Sequence, residues 1–543
     1  MKGSKYFWLI LFLSILPMLP IILNPLLIHT HDGLVHLPRM GAWFKALKDG
    51  QIPPRWAADL NYGYGTPVLI FMYPWPYFLS TLFLSLGLGL VWSFKLVLTL
   101  SFVFAAVLMF IFSRTFFKDE KKAFLVTMLY QFASFHLIEI NARGALGEVW
   151  TYTFVPLAML GLTKIFRAKK MSGFFLSALG TGLLILSHNS ISLSFFAVLV
   201  LFVLLFGKNL LDYFWGFLSL GLGLGLSVSY WLPALWERKY TYGDLFMKDL
   251  YLEHFPTLKQ LFWPNLFNQS FGQVHHIPVQ IGLIHGLSLA VALYLLVKKK
   301  LSRVEKRVVI FSWLVFLTGF FLMQPFSAPI WAKFALLRQF QFSWRFLALV
   351  VLAPSLTGFV FKKAFWLLVC LIFLLSLVYW RAPEGFDQLN EADYWHYPLN
   401  TTYFGEADTI WAANPPSQYP EKRIEIIEGE GTVKTLEKTS VLHRLELSAQ
   451  TSVNILDRTH FFPGWRVFIA DDGKPTSGWN EIPIQFQDAN HRGLITFAVP
   501  QGEHQIEVRF GRTKDRLIAE SISLISFGFL AIGLGSLLYF KRR

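Results

Sequence analysis

The sequence predicts a polytopic α-helical membrane protein with about twelve spans, a re-entrant or interfacial element, and an extracytoplasmic domain of β-sandwich or jelly-roll type. Hydrophobic residues make up 54% of the 543-residue chain and charged residues only 15%, which is more apolar surface than a soluble protein buries. Apolar runs long enough to cross a hydrocarbon core of about 30 Å recur along most of the chain. Towards the C-terminus the pattern changes to the short alternating runs that are typical of strands.

The predicted spans are the apolar runs of sufficient length. They lie near 6–28, 94–113, 123–140, 145–166, 173–189, 190–207, 212–232, 279–297, 308–326, 344–361, 364–380 and 517–540. The first run follows lysines, as in a signal peptide, but it is too long and lacks a small-residue cleavage site, so we expect it to be the first span. The single cysteine, Cys370, lies inside an apolar run, and no CxxC pair indicates a metal or redox site.

A further apolar stretch, 66–90, decides the topology. If it does not cross, both termini are cytoplasmic and the cytoplasmic segments hold 22 Lys/Arg against four acids. If it did cross, every later basic cluster would lie outside, against the positive-inside rule. Pro67, Pro74 and Pro76 also interrupt a continuous helix. We therefore predict a re-entrant or interfacial element here, within a long first outer loop over 29–93.

Charge divides the chain into two parts. Residues 381–515 hold 13 Lys/Arg and 20 Asp/Glu, whereas the rest of the chain holds 36 and 14. We predict a multi-span domain over 1–380, an extracytoplasmic β-rich domain over 381–515, and a final transmembrane helix with a basic cytoplasmic tail over 516–543. In the β-rich part, FFPGWRVFIADDGKP predicts a strand that is entered through Pro-Gly and left through an Asp-Gly turn.

Two features of the sequence argue against binding of nucleotides and of nucleic acid. The run GLGLGLS at 221–227 superficially resembles a phosphate loop, but no strand precedes it and no Lys-Ser/Thr follows, so we expect small residues that allow close helix packing. The basic residues lie in short loops between spans rather than on one folded face, so the expected partner is the lipid bilayer and not nucleic acid.

Polar residues gather at the predicted outer ends of the spans. Directly after the first span the chain reads HTHDGLVH, residues 29 to 36. Others at the same level are Glu139, Arg143, Glu148, His188, Asn189, Glu237, Arg338 and Arg345. Because an ionisable residue beside hydrocarbon is costly unless it is paired or used, we expect the chemistry on the extracytoplasmic side of the cell membrane.

A series of motifs spans nearly the whole chain in a fixed order. They are DGLVHLPRMGAWFKALKDGQIPPRW, NYGYGTPVLIFMYPWPYFLS, NARGALGEVWTYTFVPLAML, LSHNS, YWLPALWE, RQFQFSWRFLAL, FFPGWRVFI and VPQGEHQIEVRFGRT. In these the chain resembles the YfhO-like and pyruvoyl-tetrahydropterin-synthase-related bacterial membrane proteins of the GT-C glycosyltransferase superfamily. The resemblance implies a GT-C fold and an enzyme that moves a sugar from a polyprenyl-phosphate donor to a cell-envelope glycan or glycolipid hydroxyl at the outer face.

Asp32 is the leading catalytic candidate. GT-C enzymes place an acidic residue early in the first outer loop, and Asp32 occupies that position, although the second acid that often follows is replaced here by Gly33. Inverting transfer to a hydroxyl needs a base or charge partner near the acceptor. The alternative is that Asp32 only caps a helix that begins at Gly33.

The departing phosphate needs cations, for which the outer arginines are the candidates. Arginine pairs bidentately with phosphate oxygens, and the motifs offer Arg143, Arg338 and Arg345. The spacing of seven between Arg338 and Arg345 predicts two helical turns on one face. The alternative is that these side chains reach ordinary lipid headgroups.

Glu148 and His188 complete the catalytic candidates. Glu148 is either a second active-site acid or the partner of Arg143 in a structural ion pair. His188 can donate to a phosphate or sugar hydroxyl, or can serve as a helix cap or turn residue. His36 is assigned to substrate binding.

Aromatic residues of the outer loops are the last group of candidates. Tyr64 and Trp75 are assigned to substrate binding because aromatic rings stack on sugar faces, although interfacial belts use the same residues. The metal requirement is left unknown: His31, His36 and Glu148 can supply ligands for a divalent cation, but no HxxxH or HExxH pair defines a site.

Two other classes of function stay open from the sequence. A transporter or flippase of lipid-linked saccharides would need polar residues along the span interiors, which here are nearly uncharged. A non-catalytic, glycan-binding membrane scaffold would depend on 381–515 and would tolerate the loss of the Asp32 carboxylate.

Overall fold

The computed structural model describes residues 4–263, 273–274, 277–412, 415–471 and 478–542. The Asp-Gly turn expected at 472–473 lies outside these residues. The helices of the described chain are α1 (Lys5–Ile15), α2 (Leu19–Leu23), α3 (Gly33–Lys48), α4 (Val68–Phe71), α5 (Pro74–Ser85), α6 (Leu90–Phe117), α7 (Glu120–Gln131), α8 (Ser134–Ile138), α9 (Leu146–Ile165), α10 (Lys170–Ser187), α11 (Asn189–Phe206), α12 (Leu210–Glu237), α13 (Gly243–Phe246), α14 (Leu258–Phe262), α15 (Leu283–Val297), α16 (Arg303–Leu322), α17 (Ala328–Lys333), α18 (Ala335–Arg338), α19 (Leu347–Leu356), α20 (Phe365–Ser376), α21 (Glu391–Trp395) and α22 (Lys514–Arg542).

A helix or helix pair lies at each predicted span, and the protein is a multi-pass membrane protein. Within the described residues, seven helices are long and apolar enough to cross a bilayer, or nine if each of two bent pairs forms one span. The other predicted spans coincide with α9, with α15, and with the short apolar helix Ser343–Leu356. The sequence-based count of about twelve crossings therefore stays a prediction for these three elements.

The glycine-rich run in α12 lies in close contact with neighbouring helices. A Cβ atom on Gly223 would lie 2.5 Å from the Thr181 side chain of α10, and one on Gly225 would lie 2.5 Å from Ser526 of α22. Small residues at these positions allow the helices to approach closely. The packing role predicted for this run is confirmed.

The stretch 66–90 forms two short helices, α4 and α5. The twelve residues of α5 correspond to about 18 Å at 1.5 Å per residue, which is shorter than the hydrocarbon core of about 30 Å. Pro74 occupies the first turn, where a missing backbone N–H is tolerated. The helix packs against α3 and α6, so this element lies beside the beginning of α3.

The β-rich part is a sandwich of two antiparallel sheets. Its strands are β5 (Ile424–Glu428), β6 (Gly431–Lys438), β7 (Leu442–Ala449), β8 (Val453–His460), β9 (Trp465–Asp471), β10 (Asn480–Ile482), β11 (Leu494–Val499) and β12 (Gly502–Phe510). The order is β10-β9-β12-β7-β6 in one sheet and β11-β8-β5 in the other. Alternate residues of both sheets, among them Leu445, Ile455 and Val508, are fully buried in the shared core.

The remaining strands pair far from the sandwich. They are β1 (Leu27–Ile28) with β4 (Phe386–Asp387), and β2 (Gln273–Val274) with β3 (Ile277–Pro278). Through the first pair, the segment 386–411, here called the outer strap, joins the chain directly after α2. In the same strap, both carboxylate oxygens of Glu391 accept the backbone N–H groups of Leu90 and Val91 at 2.7 and 3.1 Å, which caps the N-terminus of α6.

The sandwich docks on the segment between α3 and α4. Trp56 and Ile70 are buried in the sandwich core. The N–H of His460 donates to the Tyr64 carbonyl at 2.8 Å, and its Nδ1 lies 3.1 Å from the Gly65 carbonyl. Burial, together with the Arg423 charge, lowers the pKa of His460 to about 4, so this histidine is neutral in the docked structure at neutral pH.

Candidate active site

The site is built on a backbone contact between the start of α3 and a π-helical turn, Glu139–Arg143. The N–H groups of His31 and Asp32 donate to the carbonyls of Ala142 and Arg143 at 3.1 and 2.9 Å. Gly144 follows with φ +62°, and a Cβ there would collide with Thr30. Turns of this kind inside α-helices occur frequently at functional sites. Here the turn brings Arg143 beside Asp32.

Arg143 lies at the centre of a buried charged cluster. Its Nη1 donates to both carboxylate oxygens of Glu139 at 2.8 and 2.7 Å, and lies 2.9 Å from Glu148 Oε2. Its Nη2 lies 3.6 Å from Asp32 Oδ2, and the guanidinium stacks on the Trp344 ring at 4.7 Å. The Arg143 side chain is 3% exposed. One guanidinium therefore holds three carboxylates together.

Asp32 differs from the other two carboxylates in its exposure. Its side chain is 42% exposed, against 0% for Glu139 and 3% for Glu148. Asp32 occupies the N-cap position of α3, but its side chain makes no capping hydrogen bond. The cap alternative therefore does not account for this carboxylate, which faces outward from the cluster and is held on one side by Arg143.

Glu148 joins three cationic or polar groups from distant parts of the chain. Its Oε1 accepts from Arg345 Nε at 3.0 Å and lies 3.7 Å from His188 Nε2, while Oε2 pairs with Arg143. Arg345 also donates to the Phe340 carbonyl and to Gln341 Oε1 at 2.7 and 2.9 Å. The ion pair predicted as an alternative for Glu148 is thus formed, and it extends to a second arginine.

His188 links α10 to α11. Its Nδ1 accepts the N–H of Ile191 at 3.2 Å, so the neutral ring carries its proton on Nε2, the atom that faces Glu148. The ring stacks on Tyr73 with centroids 5.1 Å apart. His188 therefore performs the capping role predicted as an alternative and also contributes an N–H to the cluster.

A second layer of side chains extends from Asp32 along α3. His36 Nδ1 lies 2.8 Å from the Tyr77 hydroxyl, and the His36 ring is 6.5 Å from that of Tyr73. Arg39, one turn further on, donates from Nε to Thr401 Oγ1 at 2.9 Å and from Nη2 to the Thr401 carbonyl. Burial, with the charges of Arg39 and Arg143, holds the pKa of His36 well below its ordinary value. His36 is therefore a neutral member of the site.

Three predicted residues, Tyr64, Trp75 and Arg338, lie outside the cluster around Arg143. Tyr64 packs on His460, with ring centroids 5.5 Å apart, at the sandwich. Trp75 packs edge-on against Trp150 at 5.7 Å. Both rings therefore contact the protein itself at these positions.

Arg338 is also separate, and the shared helical face predicted for Arg338 and Arg345 is wrong. The helix α18 ends at Arg338, and Gln341 has φ +64° before the next helical turn begins at Ser343. A helical register cannot continue through a left-handed residue. Arg345 consequently points into the cluster without Arg338.

Four members of the site were not assigned roles from the sequence: Arg39, Tyr73, Tyr77 and Glu139. Glu139 and Arg143 have the i, i+4 spacing of a helical ion pair, which was a usable signal. Tyr73 and Tyr77 have the same spacing, but their partners His188 and His36 come from other elements. Nothing in the local sequence indicates Thr401 as the partner of Arg39, since the two are 362 positions apart.

The described residues contain no group of three or more His, Cys, Asp and Glu side chains arranged to hold a metal ion. In particular, His36 Nδ1 is in contact with the Tyr77 hydroxyl, and Glu148 is paired with two arginines. The metal requirement stays a question for experiment.

Comparison with known proteins gives distant similarities. No family model matches the chain. A protein of Lactococcus lactis subsp. cremoris (strain MG1363), described as uncharacterized, is 27% identical over 249 residues, which cover 43% of this chain and 40% of that protein. Two solved structures of the arabinofuranosyltransferase AftD from mycobacteria, one of them a mutant, give TM-scores of 0.45 and 0.42 at 14% identity. The matches cover 68% of this chain, but only 27% and 26% of those chains.

Proposed function

We propose that this protein is a membrane glycosyltransferase that moves a sugar from a polyprenyl-phosphate donor to a hydroxyl of a cell-envelope glycan or glycolipid. The observation that carries the proposal is Asp32, a half-exposed carboxylate that makes no cap and is backed by a buried cluster of Arg143, Glu139 and Glu148. The order of motifs shared with GT-C glycosyltransferases gives the same reading. The sugar donor and acceptor are proposed by class only.

In the proposed reaction Asp32 acts on the acceptor hydroxyl. The hydroxyl oxygen attacks the anomeric carbon, its proton passes to an Asp32 oxygen, and the bond from the anomeric carbon to the phosphate oxygen breaks. Polyprenyl phosphate leaves with the bonding electrons. A carboxylate that is anchored on one side and open on the other suits a general base, because its orientation is fixed while its second oxygen can reach the substrate.

The buried part of the cluster would position Asp32. Glu139 and Glu148 fix the Arg143 guanidinium, and Arg143 in turn contacts Asp32 Oδ2. Glu148 is fully engaged by Arg143 and Arg345 and is 3% exposed, so we assign it to positioning rather than to direct chemistry. His188 is 5% exposed and directs Nε2 towards Glu148 Oε1 at 3.7 Å, so we assign it to positioning as well.

The orientation in the membrane belongs to the same proposal. Both termini would be cytoplasmic, and the site, the first outer loop 29–93 and the domain 381–515 would be extracytoplasmic. The positive-inside distribution of Lys and Arg supports this orientation. Cysteine labelling of single-cysteine variants with a membrane-impermeant reagent would measure it, starting from a Cys370→Ala background.

Sugar transfer is the direct test. Purified protein in lipid nanodiscs is incubated with labelled polyprenyl-phosphate sugars and an envelope acceptor extract, with and without chelator. We expect transfer with the wild type and transfer lowered by about 10²-fold or more with Asp32→Asn. Asp59→Asn should transfer as the wild type does, since Asp59 is an exposed aspartate of the same outer segment that pairs with Lys45. Transfer at the wild-type rate in Asp32→Asn would contradict the proposal. Wild-type protein that binds donors without transferring sugar would also contradict it and would favour a transporter or scaffold.

A further inference from the structure

The two arginines of the cluster are already paired with carboxylates. Arg143 contacts Glu139, Glu148 and Asp32. Arg345 donates to Glu148, to a carbonyl and to a side-chain amide oxygen. Three carboxylates thus face two guanidinium groups, so the cluster presents a surplus of negative charge. A phosphate that approached Arg143 or Arg345 would meet carboxylates that already occupy the donors.

Arg39 is different, because its partners are neutral. Its guanidinium donates to the hydroxyl and the carbonyl of Thr401, and it is also hydrogen-bonded to the Tyr77 hydroxyl. Within the described part of the chain no carboxylate lies within 4.0 Å of the Arg39 guanidinium nitrogens. Arg39 is half-buried, and a partly desolvated guanidinium without a carboxylate partner attracts an anion strongly.

The position of Arg39 matches the place of a leaving phosphate. Residues 32, 36 and 39 recur at spacings of four and three, so they share one face of α3. Seven residues of helix separate Asp32 and Arg39 by about 10 Å along the axis. The reacting atoms have a similar length. From the Asp32 oxygen, through the acceptor hydroxyl, the anomeric carbon and the phosphate, to the Arg39 guanidinium, the distance is on the order of 10 Å. His36 lies between Asp32 and Arg39 on this face, and the charge of Arg39 contributes to its lowered pKa.

We propose that Arg39 binds the phosphate group of the lipid-linked donor, and that Thr401 of the outer strap holds the guanidinium in position for it. This inference rests on the proposed function and names the cation for its leaving group. In the transfer step Arg39 stabilises the negative charge that develops on the phosphate as its bond to the anomeric carbon breaks. Arg39 is the binding residue and Thr401 is a positioning residue.

Binding of a polyprenyl phosphate, with the neutral polyprenol as its matched probe, tests the inference without turnover. Both are titrated into protein held in nanodiscs of uncharged phosphatidylcholine. For Arg39→Gln we expect the Kd of the phosphate to rise about tenfold or more, since hydrogen bonds to charged groups contribute about 1.5–3 kcal/mol, with polyprenol binding unchanged. Arg39→Lys keeps the charge and should retain most of the affinity. Lys48→Gln, which removes an exposed cation from the last turn of the same helix, is the control and should bind as the wild type does.

Thr401 is tested by a conservative pair. Thr401→Val removes the hydroxyl and should raise KM for the donor several-fold with little change in kcat, whereas Thr401→Ser keeps the hydroxyl and should restore the wild-type value. A purely structural role would be expected to lower the amount of folded protein in Thr401→Val without this split between KM and kcat.

The outcomes separate this inference from the function it rests on. Suppose that wild-type protein binds polyprenyl phosphate and transfers sugar. The role of Arg39 is then overturned, and the proposed function stands, if Arg39→Gln binds polyprenyl phosphate as tightly as the wild type does. The same conclusion follows if Arg39→Gln loses affinity for polyprenol to the same extent as for polyprenyl phosphate. Equal competition by phosphatidylglycerol would mean that Arg39 meets ordinary lipid headgroups, which also overturns it. Wild-type protein that binds no polyprenyl phosphate and transfers no sugar overturns both.

Discussion

Two of the buried arginine–glutamate clusters in the described part of the chain differ in one respect: the cluster around Arg516 has no open side, and the cluster around Arg143 has one. In the first, Arg516 of α22 pairs with Glu237 of α12 through two bonds of 2.8 and 3.0 Å, and its other donors meet the carbonyls of Gly511 and Pro463. The two side chains are 1% and 4% exposed. Every group of this pair faces another part of the protein, so the pair joins the last span, α12 and the end of the sandwich.

The second cluster, around Arg143, has the same chemistry with two more carboxylates and a second arginine, Arg345. Its third acid, Asp32, is 42% exposed and contacts Arg143 at 3.6 Å, the longest of the arginine's three carboxylate distances. A closed cluster holds elements together; a cluster with a surplus acid at its edge leaves that acid available to a substrate. Substitutions should therefore affect stability in one and turnover in the other.

The largest effect is expected at the open edge. Asp32→Asn should lower turnover by about 10²–10⁴-fold, the usual contribution of a positioned general base, while the melting temperature stays within error of the wild type. The side chain is half-exposed, so little burial is lost. Transfer assays and thermal unfolding of the same preparations measure both; a fall in melting temperature that parallels the lost activity would contradict the assignment.

The opposite profile is expected in the closed cluster. Glu237→Gln leaves the Arg516 guanidinium buried without its carboxylate and should lower the free energy of unfolding by about 3–5 kcal/mol. Turnover per folded molecule should be unchanged. Denaturant unfolding in detergent measures the first and active-site-normalised transfer the second. Glu421→Gln, at an exposed position of the sandwich, should leave both at the wild-type level.

Glu148→Gln should give an intermediate result. Arg143 keeps Glu139 and Asp32 when Glu148 is neutralised, so the loss of stability should be about 1–3 kcal/mol, less than for Glu237→Gln. Turnover should fall about tenfold or more, because Arg143 and Arg345 lose the charge that orients them and a hydrogen bond to a charged group contributes about 1.5–3 kcal/mol. An effect on KM alone, with kcat unchanged, would assign Glu148 to substrate binding instead.

The smallest effect concerns the docked sandwich and is a pH dependence. The folded pKa of His460, about 4, lies below the ordinary value of about 6.5, so the unfolded chain binds the proton more tightly. The stability it contributes is complete above pH 6.5 and declines as the pH falls towards 4, by at most about 3 kcal/mol. His460→Asn, which keeps a donor for the Gly65 carbonyl, should flatten that slope in thermal unfolding.

The fold class was predictable from the sequence because it depends on local patterns. Runs of apolar residues mark the helices, alternation marks the sandwich strands, and three prolines mark the break at α4 and α5. The site was predictable in its centre for the same reason. Asp32, Arg143, Glu148, His188 and Arg345 are polar residues at helix ends, and the structure brings them together.

The rest depends on contacts between distant parts of the chain. Glu148 and Arg345 are 197 positions apart, and no periodicity relates them. Gln341 has a left-handed backbone conformation, which interrupts the helical register between Arg338 and Arg345. Glycine is the usual residue in this conformation, and because the position holds glutamine, the sequence does not indicate the break. Tyr64 and Trp75 are aromatic residues of the kind that stack on sugars, but their rings pack on His460 of the sandwich and on Trp150 of α9.

The strand pair β1–β4 also determines when the site can be completed during synthesis. Leu27 and Ile28 pair with residues of the outer strap, and the His29 ring contacts Asp387, which is 358 positions further along. At ~5–20 residues per second, the ribosome delivers that partner roughly 20–70 s after residues 27–29 have emerged. Asp32 and Arg39 therefore lack this partner segment until eleven of the twelve predicted spans have been inserted. A truncated chain would have the Asp32 carboxylate without the strap that contacts Arg39.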